Sequence, residues 1–125
     1  MDCKELSRQL RDGNFVNYMG KPVKCSIKTI YAISTCIGES FVFQPIEINE
    51  DWLIKLGFEK RVIKYTLTEC EHYQNKFCWI YLIRGGFEIE IITGKERNNL
   101  MKVYNYVHQL QNIHYSIFGV ELNCA

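Results

Sequence analysis

The chain has 125 residues, a formal net charge of +1 and 47% hydrophobic residues. That hydrophobic fraction excludes intrinsic disorder, and the length suits a single domain, residues 1–125, with its own core. A dedicated binder of double-stranded nucleic acid usually carries a strong basic excess. The nearly neutral charge therefore argues against double-stranded nucleic acid as a partner.

Six cysteines bear on the redox state to expect, and they are Cys3, Cys25, Cys36, Cys70, Cys78 and Cys124. The chain begins MDCKELSR, which lacks the apolar run that a signal peptide needs. We therefore expect a cytoplasmic protein whose thiols stay reduced. No stretch approaches the ~20 apolar residues of a membrane span, so no membrane partner is expected.

Hydrophobic periodicity predicts mostly strands in the first part of the chain. In order, we expect a short polar helix or arm, a brief strand, a turn, a long strand and a second brief strand, over residues 1–12, 14–18, 19–22, 23–33 and 41–43. In the long strand, apolar side chains at every second position predict a buried face. Lys24 and Lys28 lie on its exposed face.

One short helix is predicted next, over residues 49–57. Asn49 is a suitable N-cap, because its side chain can accept a hydrogen bond from a free N–H group of the first turn. Trp52 begins the inward-facing stripe, and Gly57 can end the helix in the left-handed conformation. Two turns are too few to persist alone, so we expect Trp52 to anchor the helix to the sheet.

The rest of the chain predicts four more strands. They are expected at residues 62–68, 77–83, 87–93 and 100–106, with a hairpin turn at residues 84–86 and a charged loop at residues 94–99. The first of them should turn Ile63, Tyr65 and Leu67 inward and leave Lys64 exposed. The second is apolar on both faces, which is typical of a central strand.

Together these elements predict an α+β fold. Strands joined by short turns, with the helices set apart from them, favour an antiparallel sheet of five to seven strands. One short helix and one C-terminal helix are expected to pack on that sheet.

The C-terminal helix carries two distinct stripes and is expected to end at Gly119. The apolar stripe consists of Val107, Leu110, Ile113 and Ile117. The other stripe consists of neutral hydrogen-bonding groups, namely His108, Gln111, Asn112 and Tyr115. These side chains could bind a polar ligand, or they could tie the helix to a neighbouring strand.

Metal and catalytic motifs give little signal. Cys70, His72 and Cys78 lack the second ligand pair of a structural zinc site, so we expect neither a metal nor another cofactor. Motifs such as a nucleophile elbow or a phosphate-binding loop are absent from the sequence. We therefore expect no enzymatic activity.

Three groups of motifs resemble a family of small uncharacterised proteins of Bacteroidetes and their phages. They are RDGNFV at residues 11–16, then PI at 45–46 with DWL at 51–53 and LGFEK at 56–60, and finally VHQLQN at 107–112 with Gly119 and Glu121-Leu122. The chain departs from the family pattern at Leu56, where the family has Phe, and at residues 118–120. The resemblance implies a phage or mobile-element origin and a host-cytosol setting, but it transfers no activity.

From these observations we expect a non-catalytic, homo-oligomeric binding protein of phage type that sequesters a nucleotide-like host immune signal. The predicted ligand-binding residues are His108, Gln111, Asn112, Tyr115, Lys24, Lys28 and Lys64. Aromatic rings could stack on a base, and the lysines could contact phosphates if their strands are neighbours. The alternative is a protein–protein interaction module that uses the same helix as its interface, and a small hydrolase ranks third.

Overall fold

The structure, a computed structural model, describes residues 2–35, 42–84, 86–93 and 96–124, with the backbone alone for residues 92–93 and 96–103. Helices and antiparallel sheets build this part of the chain, so the predicted α+β class is confirmed. The chain divides into two compact units, one of Met1–Glu47 with Tyr106–Glu121, the other of Ile48–Asn105 with Leu122–Ala125. A single domain stays a prediction.

Twelve helices and strands follow one another in the described part of the chain. They are α1 (Cys3–Gln9), β1 (Phe15–Tyr18), β2 (Lys21–Lys24), α2 (Ile27–Ser34), β3 (Phe43–Gln44), α3 (Glu50–Lys55), β4 (Glu59–Lys64), β5 (Glu69–Gln74), β6 (Cys78–Ile83), β7 (Gly86–Thr93), β8 (Glu96–Tyr104) and α4 (Val107–Phe118). The first unit holds a sheet of order β2-β1-β3, and the second a sheet of order β4-β5-β6-β7-β8. All neighbouring strands are antiparallel.

The core of the first unit combines side chains from α1, α2 and the three-stranded sheet. It includes Cys3, Leu6, Leu10, Val16, Cys25 and Ile33. Helix α1 begins after Asp2, whose carboxylate accepts a hydrogen bond from the N–H of Glu5 at 2.8 Å. The helix or arm predicted at residues 1–12 is therefore a short helix.

The prediction of a long strand at residues 23–33 is wrong. Strand β2 ends at Lys24, and α2 begins after Ser26, whose hydroxyl accepts a hydrogen bond from the N–H of Thr29 at 3.2 Å. The isoleucines of this segment lie three residues apart, so the period of a helix fits it as well as the period of a strand. Lys24 and Lys28 consequently lie on a strand and a helix, and they do not share one strand face.

The brief elements of the first unit agree better with the sequence. Strand β1 matches the strand predicted at residues 14–18. The turn predicted at residues 19–22 consists of Met19 and Gly20 alone, both with positive φ, because β2 already begins at Lys21. Of the strand predicted at residues 41–43, Phe43 lies in β3, and residue 41 lies outside the described residues.

Helix α3 of the second unit forms as its sequence predicts. The side-chain oxygen of Asn49 accepts a hydrogen bond from the N–H of Trp52 at 2.9 Å, and Gly57 follows the helix with a φ of 95°. Trp52 and Leu53 are buried, and the ammonium group of Lys55 lies 4.9 Å from the ring centroid of Trp52. Trp52 and Leu53 thus supply the buried apolar side chains of a helix that is too short to be stable alone.

The five-stranded sheet confirms one prediction and corrects another. Strand β6, predicted at residues 77–83, is the third of five strands and hence central. It is joined to β7 by the predicted hairpin, although residue 85 lies outside the described residues. Strand β8 begins at Glu96, which pairs with Thr93. The loop predicted at residues 94–99 is therefore too long, since its second half belongs to the sheet.

The strand predicted at residues 62–68 is wrong in its second half. Strand β4 ends at Lys64, and the N–H of Tyr65 donates to the C=O of Thr68 at 2.7 Å, which closes a tight turn. The chain then returns as β5, a strand that the sequence did not predict. Tyr65 and Leu67, expected to face the core, are 58% and 93% exposed.

Candidate functional site

Helix α4 carries most of the predicted site, and both of its ends are well defined. At the N-terminal end, the side-chain oxygen of Gln109 accepts a hydrogen bond from the N–H of Tyr106 at 3.1 Å. At the other end, Gly119 has a φ of 69° and its N–H donates to the C=O of Tyr115 at 2.8 Å. The predicted end of the helix is therefore confirmed.

Gln111 is fully buried, and its amide bonds to the backbone that leads into β1. The amide oxygen accepts a hydrogen bond from the N–H of Phe15 at 3.0 Å, and the amide nitrogen donates to the C=O of Gly13 at 3.1 Å. A buried amide left without partners is costly, and here both ends of the amide have them. Gln111 thus ties α4 to the first sheet.

Asn112 makes an equally complete set of contacts. Its oxygen accepts hydrogen bonds from Nε of Arg11 and from the amide nitrogen of Asn14, both at 2.9 Å. Its own amide nitrogen donates to the C=O of Gln9 at 2.7 Å. Asn14 is itself fully buried, and its oxygen accepts a hydrogen bond from the N–H of Arg11 at 2.7 Å. These bonds fix the turn between α1 and β1 on the polar stripe of α4.

Arg11 connects this buried network to the surface. Its guanidinium group forms an ion pair with Glu121 at 2.7 Å and lies 4.4 Å from the ring centroid of Tyr115. Tyr115 is 44% exposed, which makes it the most accessible of the four predicted helix residues. A guanidinium group over an aromatic ring is a favourable cation–π arrangement.

His108 is fully buried on the same helix. Its Nε2 lies 2.8 Å from the side-chain oxygen of Gln9. That oxygen can only accept, so Nε2 carries the proton and donates. The buried Nδ1 atom has no hydrogen-bond partner among the described residues. Burial lowers the pKa of His108 to about 4, and the imidazole is therefore neutral at pH 7.

His114, a further buried residue of α4, caps the end of the chain's last helix. Its Nδ1 donates to the C=O of Val120 at 2.7 Å. Burial lowers the pKa of His114, while the hydrogen bond to Val120 and the charge of Glu121 oppose that shift. The residue holds the segment after Gly119 against the helix.

The structure thus separates the predicted site residues into several environments. His108, Gln111 and Asn112 bond to residues 9–15, an arrangement that matches a structural tie, whereas the ring of Tyr115 faces solvent. A ligand role for these four residues stays a prediction.

The predicted lysines are distributed over three elements. Lys24 lies on β2, Lys28 on α2 and Lys64 on β4. The strands of Lys24 and Lys64 belong to different sheets and are not paired neighbours, which was the condition for a cationic patch.

Sequence reasoning did not pair the two motifs that build the polar network. Arg11 and Asn14 belong to the RDGNFV motif, and Gln111 and Asn112 to the VHQLQN motif. The chemical signal was present, because buried amides require partners. The sequence alone could not show that these partners lie nearly a whole chain apart.

The possible zinc ligands do not converge. His72 stacks on Trp79 at 3.9 Å, so both rings lie on one face of the sheet. Cys78 precedes Trp79 in the strand and therefore points to the opposite face. Within the described residues, no group of three or more His, Cys, Asp or Glu side chains could hold a metal ion.

Five cysteines lie in the described part of the chain, and no disulfide joins any two of them: Cys3, Cys25, Cys70, Cys78 and Cys124. Cys36 lies outside the described residues. Burial, followed by the charge of Asp12, raises the pKa of Cys25 to about 11, and burial raises the pKa of Cys78 to about 12. These two thiols stay protonated at neutral pH and are poor nucleophiles.

A projecting hairpin in the second unit is the surface feature that sequence reasoning missed. Strand β5 pairs with β6 only through Tyr73 and Gln74. Farther out, at residues 61–72, β4 and β5 pair only with each other in the described structure. We call this two-stranded segment the hairpin arm. Three of its large apolar side chains are exposed, namely Val62, Tyr65 and Leu67.

The outer edge of the hairpin arm is formed by β4. Bonded and non-bonded residue pairs alternate along an antiparallel ladder, and the bond from Tyr65 to Thr68 fixes that alternation here. The backbone N–H and C=O groups of Lys60, Val62 and Lys64 therefore point away from β5. Strand β4 ends the order of the described sheet, so these groups line its free edge.

No family model matches the chain, and neither a curated protein nor a solved structure is significantly similar to it. The resemblance to small proteins of Bacteroidetes and their phages therefore stays a prediction. Within the described residues, no helix combines the length and the apolar character that crossing a membrane requires. Function must accordingly be inferred from the geometry.

Proposed function

We propose that the protein is a non-catalytic binding protein that acts on another protein, and that the hairpin arm is its contact surface. The observation that carries this proposal is the tip of the arm, where Leu67 is 93% exposed and Tyr65 is 58% exposed. Large apolar side chains grouped on one projecting element are typical of an interaction site. A partner that fits this tip is a protein with an apolar pocket.

The energetics of the hairpin arm support the same conclusion. A two-stranded ribbon is only marginally stable in water, because it has no second layer to bury its side chains. Enclosing a fully exposed leucine such as Leu67 would contribute ~1.5–3 kcal/mol to binding. An aromatic side chain such as Tyr65 is typical of the residues that dominate interface energies.

The geometry of α4 favours the hairpin arm over the helix as the contact surface. The polar stripe of α4 was the interface expected from the sequence. His108 and Gln111 are fully buried, and their hydrogen bonds go to Gln9, Gly13 and Phe15. A partner could reach these groups only by displacing bonds within the first unit.

A phage-type protein that sequesters a nucleotide-like immune signal is the second candidate. The exposed ring of Tyr115 beneath the guanidinium group of Arg11 favours it, because such a pair can stack on a base. Glu121 shares that guanidinium group and would oppose the approach of a phosphate. This candidate therefore ranks below protein binding.

Site-specific photo-crosslinking tests the proposal. A photoreactive residue replaces Leu67 in one variant and Ile27, which is 74% exposed in the first unit, in a matched control. We expect one discrete adduct from position 67 and none from position 27. The purified partner should then lose affinity for Leu67→Asp by about tenfold or more and retain it for Ile27→Asp.

Two results would contradict this function. Equal adducts from both positions would show non-specific contact. Unchanged affinity of the partner for Leu67→Asp would exclude the tip as the contact surface. A nucleotide that raises the melting temperature of the wild type but not of Tyr115→Ala would instead support the second candidate.

A further inference from the structure

We infer that the free edge of β4 binds an extended, acidic segment of the partner as an added strand of the sheet. This inference deepens the proposed function and rests on it. It names the backbone of the hairpin arm, in addition to its apolar tip, as the recognition element, and an acidic peptide segment as the ligand class.

The backbone of β4 is suited to accept another strand. Lys60, Val62 and Lys64 each direct one N–H and one C=O group toward the free edge, by the alternation established above. The six residue pairs of β4 with β5 run from Glu59 to Lys64 without a register shift. Natural edges are commonly protected by proline, bulges, a covering element or charged side chains, lysine above all. Strand β4 contains no proline and no register shift, and its protection consists of its cationic side chains alone. Those side chains repel another cationic edge, but they leave the backbone open to a peptide of opposite charge.

The charges along this edge favour an acidic occupant. Strand β4 has the sequence EKRVIK, with three cationic side chains and one anionic one. Arg61 pairs with Glu59 at 2.7 Å, and the ammonium group of Lys60 lies 3.1 Å from Glu50 and 3.8 Å from Glu71. Lys64, at the outer end of the strand, lies opposite Glu69 of β5 but forms no ion pair with any described residue. Its ammonium group can therefore pair with a carboxylate of an added strand.

A second copy of the same chain is a poorer occupant. When two copies of β4 pair as antiparallel strands, residues that face each other across the pair must have their side chains on the same face of the sheet. The register that aligns all three outward-facing residues is centred on Val62, and it sets Lys60 opposite Lys64 at both ends. Like charges directly opposite each other destabilise a strand pair. The charges of β4 therefore disfavour pairing with a second β4 strand and favour pairing with a strand of opposite charge.

The same register defines the sequence that an added strand should have. Positions opposite Lys60 and Lys64 should be acidic, and the position between them, opposite Val62, should be apolar. The intervening side chains point to the other face of the sheet and are less restricted. The expected motif is therefore acidic–x–apolar–x–acidic in an extended segment.

A designed peptide tests the inference on the full chain. The peptide TETVTET carries the expected motif, and TKTVTKT is its matched control. In a titration followed by backbone amide NMR, we expect the acidic peptide to shift the resonances of Lys60, Val62 and Lys64. We expect the basic peptide to bind more weakly by about tenfold or more, and the affinity of the acidic peptide to fall with rising salt concentration.

Two variants separate the backbone from the side chains. The N–H of Val62 points outward, so Val62→Pro removes no bond to β5, but it removes a donor and blocks the approach of a strand. We expect this variant to bind the acidic peptide more weakly by about tenfold or more, while Val62→Thr binds as the wild type does. Lys64→Glu should abolish the preference for the acidic peptide, because each peptide then meets one like and one opposite charge. If Val62→Pro proves poorly folded, Lys64→Glu and the amide shifts of the wild type still show whether the peptide binds at the edge of β4.

The outcomes distinguish this inference from the proposed function. Equal binding of both peptides, or amide shifts away from β4, would overturn the added strand even if the crosslinked partner still depends on Leu67. Conversely, specific binding of the acidic peptide together with a partner that is indifferent to Leu67→Asp would retain the added strand and refute the apolar tip. Dimerisation through β4, seen as a mass that Lys64→Glu changes, would identify a second copy as the occupant and overturn the acidic segment.

Discussion

Gln111 and Asn112 act as substitutes for backbone, because a side-chain amide offers the same kinds of donor and acceptor as a peptide group. Each offers a donor and an acceptor, and each meets main-chain groups of residues 9–15. A carboxylate of the same shape would lack the donor, and an apolar side chain would lack both. Removing such a group strands its buried partners, which costs ~1–3 kcal/mol per group.

The buried imidazole of His108 should make the stability of the protein depend on pH. Its pKa is about 4 in the folded protein, against 6.5 for an ordinary histidine. Above pH 6.5 the group is neutral in both states, and its contribution is complete. As the pH falls from 6.5 to 4, the unfolded chain binds a proton that the folded protein does not, so stability is lost. The full difference corresponds to ~3 kcal/mol.

Chemical denaturation at pH 7 and at pH 4.5 measures this effect. We expect the wild type to lose more unfolding free energy over this interval than His108→Gln, whose amide can still donate to Gln9. Carboxylates and His114 titrate in both proteins, so the difference between the two reports on His108. Parallel losses in wild type and variant would show that the imidazole is not excluded from water.

Trp52 is the residue on which α3 depends. The helix has six residues, too few to persist without tertiary contacts, and the indole is buried. We expect Trp52→Ala to lower the free energy of unfolding by ~3–5 kcal/mol, as truncations of buried aromatic residues do. Ile54, on the exposed side of the same helix, gives the control, since Ile54→Ala should cost less than ~1 kcal/mol. Similar midpoints in urea for both variants would show that the indole is not the anchor.

The elements that the sequence predicted correctly are those in which all local signals indicate the same structure. Helix α3 has a cap, an apolar stripe and a terminal glycine, and it forms where expected. Helix α2 was mistaken for a strand, because Ile27, Tyr31 and Ile33 continue the alternation that begins before the helix, and only Ser26 marked its start. The hairpin arm was missed because apolar alternation continues through its turn, at Thr66 and Leu67, without a glycine or proline.

The sequence predicted the chemical type of the candidate site, a stripe of neutral hydrogen-bonding side chains. It did not predict which residues these side chains contact. The polar stripe of α4 is real, and its groups do form hydrogen bonds. The partners could not be identified, since a sequence pattern reports only neighbours three or four residues away. The free edge of β4 depends on strand order, which alternation does not encode.

At the scale of the whole molecule, thiol accessibility tests the placement of the described cysteines. Cys70 and Cys124 are exposed, whereas Cys3, Cys25 and Cys78 are buried. In a Cys36→Ser variant, we expect a thiol reagent to modify two cysteines quickly and the other three only in denaturant. A third fast thiol would contradict the burial of one of these three cysteines. Intact mass spectrometry of the native protein would reveal any disulfide or bound metal.

The interrupted course of the first unit has a consequence for synthesis of the chain. Residues 9–15 and the polar stripe of α4 lie 96 to 103 positions apart, with Ile48–Asn105 translated between them. At ribosomal rates of about 5–20 residues per second, the amide of Asn14 waits roughly 5–20 s for its partners to emerge. During that interval the nascent chain displays its unfinished first core to chaperones, while the strands of the second unit are already complete.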